Sequence, residues 1–204
     1  MRIRVNLQIF IFLIIFYLTK QMEVYSILML FAIVHELGHL ICGILMGLRV
    51  NTMQIMPFGV SVYFEDYSHT YLYKKIIIAI AGPLTNFIIV LIGGYLEWSE
   101  IVIYSNVLIG AFNLIPIYPL DGGRILKYII GIKQTKQYAE DIVHRISNIL
   151  IIFLTAISSI GVMLLHNIAI VIILVYLWVM VISENKKYRL KKRVYGVMKY
   201  NVQE

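Results

Sequence analysis

The sequence predicts an all-α, polytopic integral membrane protein of about six transmembrane helices, with a short β-hairpin near the cytoplasmic face after the second helix. Three observations carry that prediction. Of the 204 residues, 60% are hydrophobic and only 14% charged, and the mean hydropathy is +0.83, far from the balance of a soluble domain. Apolar runs recur at lengths near the roughly 20 residues that a helix needs to cross a hydrocarbon core of about 30 Å. Basic residues gather in alternate loops, as they do on the inner side of a membrane.

In chain order the apolar runs fall at Ile3–Thr19, Met22–Leu48, Ile76–Leu96, Ile101–Leu120, Ile146–Leu165 and Ile168–Ile182. The first has a basic start, but Leu18-Thr19-Lys20-Gln21 offers no small-residue cleavage site, so it reads as a retained helix rather than a signal peptide. The last two would make one helix of about 55 Å, and His166-Asn167 divides them into a hairpin. With both termini cytoplasmic, all of the 18 Lys and Arg except Lys20 lie inside, while the external turn Glu97-Trp98-Ser99-Glu100 carries acid alone. The net charge of +7 is therefore a sign of topology in a multi-pass cell-membrane protein, and nucleic acid is not an expected partner. Cys42, the single cysteine, cannot form an internal disulfide and reads as a small core residue. Between the second and third runs, Val60, Val62 and Phe64 alternate with Ser61, Tyr63 and Glu65, the period of a strand. An exposed strand edge there could hold an extended peptide by β-augmentation.

His35-Glu36-Leu37-Gly38-His39 matches HExxH and lies near the middle of the second run. Residues at i and i+4 share a helix face, so both imidazoles can reach one Zn²⁺ while Glu36, one step round, faces a water on the metal. Ionisable residues at mid-membrane cost about 2.5–3.5 kcal/mol each on insertion scales, so three on one turn need a compensating role. Two histidines leave a catalytic zinc one protein ligand short. The best candidate for the third is Asp121, in Asn113-Leu114-Ile115-Pro116-Ile117-Tyr118-Pro119-Leu120-Asp121-Gly122-Gly123. There Pro116 and Pro119 break the helix and Gly122-Gly123 relaxes the backbone, which membrane depth tolerates only inside protein or beside a wet cavity. A metal transporter would also bury His and Asp, but it has no use for Glu36 beside the two histidines, and the outer halves of the runs lack a polar path.

With HExxH on one run and N-x-x-P-x-x-P-x-D-G on a later one, the chain resembles the site-2 protease family of intramembrane zinc metalloproteases, in particular its sporulation-type branch. The resemblance implies a metalloendopeptidase that cuts a membrane-associated protein at the cytoplasmic side of the bilayer, with Zn²⁺ as cofactor. It assigns His35, His39 and Asp121 as zinc ligands, Glu36 as general base, and Asn113, with Pro116 beside it, to positioning the substrate. Ala81-Gly82-Pro83-Leu84-Thr85-Asn86 resembles a further family signature at the start of the third span. Val50 to Phe64, with Met56-Pro57-Phe58-Gly59-Val60, resembles the segment that follows HExxH in this branch, which adds Phe58 and Gly59 to the substrate-positioning set. The implied substrate is a pro-sigma factor, with anti-sigma factors or small membrane peptides as alternatives, and an inhibitory membrane protein is an expected partner. The domain reading is a membrane metalloprotease domain over 1–183 and a basic cytoplasmic tail over 184–204, too short for the CBS or PDZ domain of many relatives. That tail, Lys186 to Tyr195, faces anionic lipid or an acidic substrate. His69, His144 and His166 read as polar positions at loops and span ends.

Overall fold

The computed structural model describes residues 2–5, 7–18, 20, 22–56, 59–65, 67–165 and 168–201. The chain forms two compact units, Met1–Ile115 and Pro116–Glu204. The first contains β1 (Arg2–Val5), α1 (Gln8–Leu18), α2 (Met22–Leu45), β2 (Val50–Met56), β3 (Gly59–Phe64), a 3-10 turn at Tyr67–His69, α3 (Leu72–Tyr95) and α4 (Glu100–Asn113). The second contains α5 (Asp121–Lys133), α6 (Lys136–Leu165) and α7 (Ile168–Asn201). Among the described residues α2, α3 and α6 are long and apolar enough to cross a membrane, and α4 is a shorter apolar helix. Leu30, Ile44, Leu84, Leu91, Ile149 and Phe153 are all more than half exposed, the surface expected of helices solvated by lipid tails rather than water.

In the first unit α2, α3 and α4 pack against one another, and α2 also carries β3. The α2–α3 contact is close because its residues are small: a Cβ on Gly38 would lie 2.8 Å from the Ala81 carbonyl oxygen and collide with Thr85. Small residues let helix backbones approach where lipid supplies no hydrophobic drive. Gly47, at φ +85°, ends α2 in a left-handed turn, with Gly47 N–H donating to Ile44 O (2.9 Å) and Leu48 N–H to Gly43 O (3.0 Å), the Schellman pattern. The expected hairpin is present, β2 antiparallel to β3 with Met56 opposite Gly59. It has a third member: β1 runs parallel to β2, pairing Arg2 with Thr52 through Val5 with Ile55. The first expected span, Ile3–Thr19, is therefore part strand, and its helix has 11 residues.

Two further boundaries move. The third helix starts at Leu72, not Ile76, because its lysines are tied to the preceding turns: Lys74 Nζ donates to Met46 O and Lys75 Nζ to Ser68 O, both at 3.0 Å. Gly82-Pro83 consequently sits in mid-helix rather than at a helix start. The fourth span, expected over Ile101–Leu120, is helical only to Asn113. Its last turn tightens, with Leu114 N–H shared between Gly110 and Ala111 carbonyls, and Pro116 then removes a donor and turns Ile115 away from helix.

In the second unit α5 packs on α6 and α6 on α7. Ala139, Glu140, Val143, Ser147 and Ile151 make the buried stripe of α6, spaced for one helix face. Both long helices extend past the apolar runs read from sequence, to Lys136 and to Asn201, and polar contacts explain why. Glu140, 5% exposed, meets Lys127 of α5 at 3.0 Å and Lys191 of α7 at 2.7 Å. The Tyr188 hydroxyl donates to Asp141, and Lys192 pairs with Asp141 at 3.1 Å. His144 stacks on Tyr188 (4.5 Å between centroids) and donates through Nδ1 to Asn185 Oδ1 at 2.8 Å. Residues 184–201 continue α7 as helix, held to α6 by these contacts. His166 and Asn167 lie outside the described residues.

Removing the Glu140 carboxylate takes away the anion that Lys127 and Lys191 share. Glu140→Ala is expected to destabilise, by less than the about 3–5 kcal/mol of a fully buried broken pair because Lys191 is 38% exposed. The local consequence is faster tryptic cutting within Lys186–Arg193 at a temperature where α2–α4 stay protected, read by mass spectrometry of limited digests.

Candidate metal centre

The first unit builds a two-histidine site on the α2–α3 contact. His35 and His39 project from one face of α2, both buried, at 3% and 5% exposure. Their outer nitrogens are each engaged. His39 Nδ1 lies 2.6 Å from the Ile78 carbonyl oxygen, an atom that can only accept, so Nδ1 carries the proton. His35 Nδ1 lies 2.5 Å from Asn86 Oδ1. The orientation of that amide follows from the next links: Asn106 Nδ2 donates to Val102 O at 2.9 Å, which leaves Asn106 Oδ1 to accept from Asn86 Nδ2 at 2.8 Å. Asn86 Oδ1 is then the acceptor for His35 Nδ1–H. Both asparagines are fully buried.

With both protons held on Nδ1, each Nε2 presents a lone pair, and the two Nε2 atoms face each other at 3.2 Å. Neutral imidazoles in these tautomers have no proton to share, so the pair is repulsive by itself and is relieved by a cation between the lone pairs. Two ligands at about 2.0–2.1 Å from a tetrahedral Zn²⁺ sit about 3.3 Å apart, close to the observed spacing. Hydrogen bonds on the far ring nitrogen also fix the orientation and raise the basicity of metal-binding histidines. Gly82 keeps this space open. A Cβ there would lie 2.6 Å from His35 Nε2 and collide with His39 Nε2. The donor set fits zinc.

The remaining predicted residues fall as follows. Glu36, half-buried, follows His35 on α2. Asn113 is in the last turn of α4, its Nδ2 donating to Ile109 O at 3.0 Å. Gly59 opens β3 opposite Met56, and Phe58 lies outside the described residues. In the second unit Pro116 is exposed. Asp121 is the first residue of α5, 4% exposed, with Arg124 Nη1 3.6 Å from its Oδ1; a carboxylate in a first helical turn complements the helix dipole. Sequence reasoning noted Asn86 only within a signature and missed Asn106. The signal for Asn106 was there: Ser105-Asn106 is a polar pair inside an apolar helix, where such residues face a protein partner.

Substituting Asn86→Leu is expected to weaken zinc binding by about 10–100-fold with α3 intact, measured by chelator competition on detergent-purified protein. Gly82→Ala is a sharper case. Ala favours helix over Gly by about 1 kcal/mol, so the variant should fold, yet metal analysis should find it nearly free of zinc.

A model of peptidase family M50 matches residues 24–97 and 94–154, a stretch that includes HExxH, Gly82, Asn86, Asn106 and Asp121. Stage IV sporulation protein FB of Bacillus subtilis is 31% identical over 117 residues, covering 53% of this chain and 41% of that protein. A zinc metalloprotease of Methanocaldococcus jannaschii is 31% identical over 121 residues, covering 53% of this chain and 34% of its own length. The matched region thus spans less than half the length of either relative. The solved site-2 protease from Methanocaldococcus jannaschii has a TM-score of 0.68 to this chain, with 89% of each covered and 24% identity, a likeness of fold. The matched stretch takes in more than half of the sequence and both of its chemical motifs, and the chain belongs to peptidase family M50.

Proposed function

We propose that the chain is an intramembrane zinc metalloendopeptidase that hydrolyses a peptide bond of a membrane-associated protein at the cytoplasmic side of the bilayer. The observation that carries this reading is the pair of tautomer-locked, buried histidines whose facing Nε2 lone pairs stand 3.2 Å apart, with Glu36 next to His35 on the same helix. Zn²⁺ bound there supplies Lewis acidity to a water and to the scissile carbonyl. Asp121 is the third protein ligand. Glu36 takes a proton from the attacking water and delivers it to the departing amine nitrogen as the C–N bond breaks. Asn113, Pro116, Phe58 and Gly59 position the substrate, which lies extended along the β2–β3 hairpin.

The substrate in this reading is a pro-sigma factor. Its support is the sporulation-type pattern of the motifs and the likeness to a protein whose name records a role in sporulation. An inhibitory membrane protein would then set the timing of cleavage. These steps rest on analogy of family rather than on geometry.

The test is co-expression with the host's own pro-sigma factors, followed by detection of a shortened product. Glu36→Gln should abolish that product by at least about 10²-fold while zinc content stays at the native level. Asp121→Ala should lose both product and zinc. Zinc retained in full by Asp121→Ala would place the third ligand elsewhere, and substantial cleavage by Glu36→Gln would remove the base from Glu36. Cleavage of membrane-spanning anti-sigma factors alone would overturn the pro-sigma assignment and leave the peptidase standing.

A further inference from the structure

Asp121 follows a turn rather than a continuous helix, and the backbone of that turn is anchored by a side chain of its own unit. Leu120 N–H donates to Ile117 O at 2.8 Å, closing the turn over Tyr118 and Pro119. Gly123 folds back against it: a Cβ there would lie 2.6 Å from Ile117 O and 2.5 Å from the Ile117 carbonyl carbon, so the first turn of α5 and the segment before it are in van der Waals contact through backbone alone. Tyr118 N–H is not used by the turn. It donates to Ser147 Oγ of α6 at 2.8 Å, and Ser147 in turn donates its own proton to Val143 O at 2.8 Å. Ser147 is fully buried. Its hydroxyl therefore has one geometry, oxygen toward Tyr118 and hydrogen toward α6.

The neighbours of this bond restrict it further. The Tyr118 ring meets His144 of α6 edge-on, with centroids 5.5 Å apart, and Lys127 Nζ sits 5.1 Å from the ring centre. Tyr118 is thus gripped at its side chain by α5 and α6 and at its backbone by Ser147. A hydroxyl inside an apolar helix is commonly spent on a bond to the carbonyl four residues earlier. Here the same oxygen also holds a residue 29 positions away in sequence, three residues before the buried carboxylate.

We infer that Ser147 is a positioning residue for Asp121, fixing through Tyr118 N–H the turn that carries the carboxylate. The inference rests on Asp121 being a zinc ligand, as proposed above. A ligand on a turn binds at full strength only if the turn is already in place when the metal arrives; otherwise part of the binding energy goes into ordering it. Loss of the Ser147 hydroxyl leaves Tyr118 N–H without its partner and lets the turn shift.

The experiment is zinc affinity by chelator competition on the full-length, detergent-purified chain, in a cycle of Ser147→Ala and Asp121→Ala with Ser147→Thr as rescue. In the chain that keeps Asp121, Ser147→Ala should weaken zinc binding about tenfold, and Ser147→Thr, which retains the hydroxyl, should recover most of it. In the Asp121→Ala background, Ser147→Ala should change zinc affinity less than twofold, because the group it positions is gone. A purely structural serine would lower affinity equally in both backgrounds, and that result, or no change from Ser147→Ala in the presence of Asp121, overturns the inference. Should Asp121→Ala alone leave zinc affinity unchanged, the ligand assignment fails first and takes this inference with it.

Discussion

Every polar group buried among lipid-facing helices has to find its partner inside the protein, because hydrocarbon offers none and each unmet donor or acceptor costs several kcal/mol. In the first unit His35, Asn86 and Asn106 meet that constraint through one chain of bonds that starts at Val102 O. The chain begins at a backbone carbonyl, which can only accept, so each later amide has one permitted orientation. Its last link decides which nitrogen of His35 holds the proton. The chemistry of the centre is thus set two side chains away from it, by a helix that contributes no ligand.

The same site depends on what is missing from α3. Small residues at Gly38, Ala81 and Gly82 bring α2 and α3 close enough for the Ile78 carbonyl to reach His39 Nδ1 at 2.6 Å, and the absent side chain of Gly82 leaves the space in front of both Nε2 atoms. Packing that would weaken a soluble core here creates the ligand volume. Pro83 follows Gly82 directly, inside the helix, so the segment that faces the histidines is also the one least suited by local propensity to be helical. Tertiary contact with α2 holds it there.

In the second unit the polar work is done at the ends of the helices. Glu140 draws α5, α6 and α7 together through Lys127 and Lys191, and the His144–Tyr188 stack extends the same contact along α7. In sequence Lys191 is one of a basic run that reads as facing anionic lipid or an acidic substrate. In space Glu140 is buried and its two lysines come from helices on either side, so one carboxylate does the work of joining three elements. The basic residues after 184 are in part the other half of these pairs, and only the remainder is left to face lipid or a partner.

The sequence alone determined the membrane class, the metal motif and the hairpin, since each depends on local pattern: apolar runs of span length, two histidines at i and i+4, and alternation at Val60, Val62 and Phe64. Helix boundaries were less legible. β1 at Arg2–Val5 is hydropathically part of the first run, and only pairing with β2 makes it strand; α5 is too polar to register as a span and too short to stand out. Asn86 and Asn106 lie 20 residues apart on different helices, and nothing in their spacing says that one orients the other or that both serve His35. Ser147 sits 29 residues from the backbone it holds. Such partners are chosen by which helix faces meet, and hydrogen bonds at separations of this kind follow from packing rather than from period. Sequence therefore pointed to the residues expected to carry the chemistry, and the tertiary structure decided the tautomers of the two histidines, the orientation of their partners and the open volume between them.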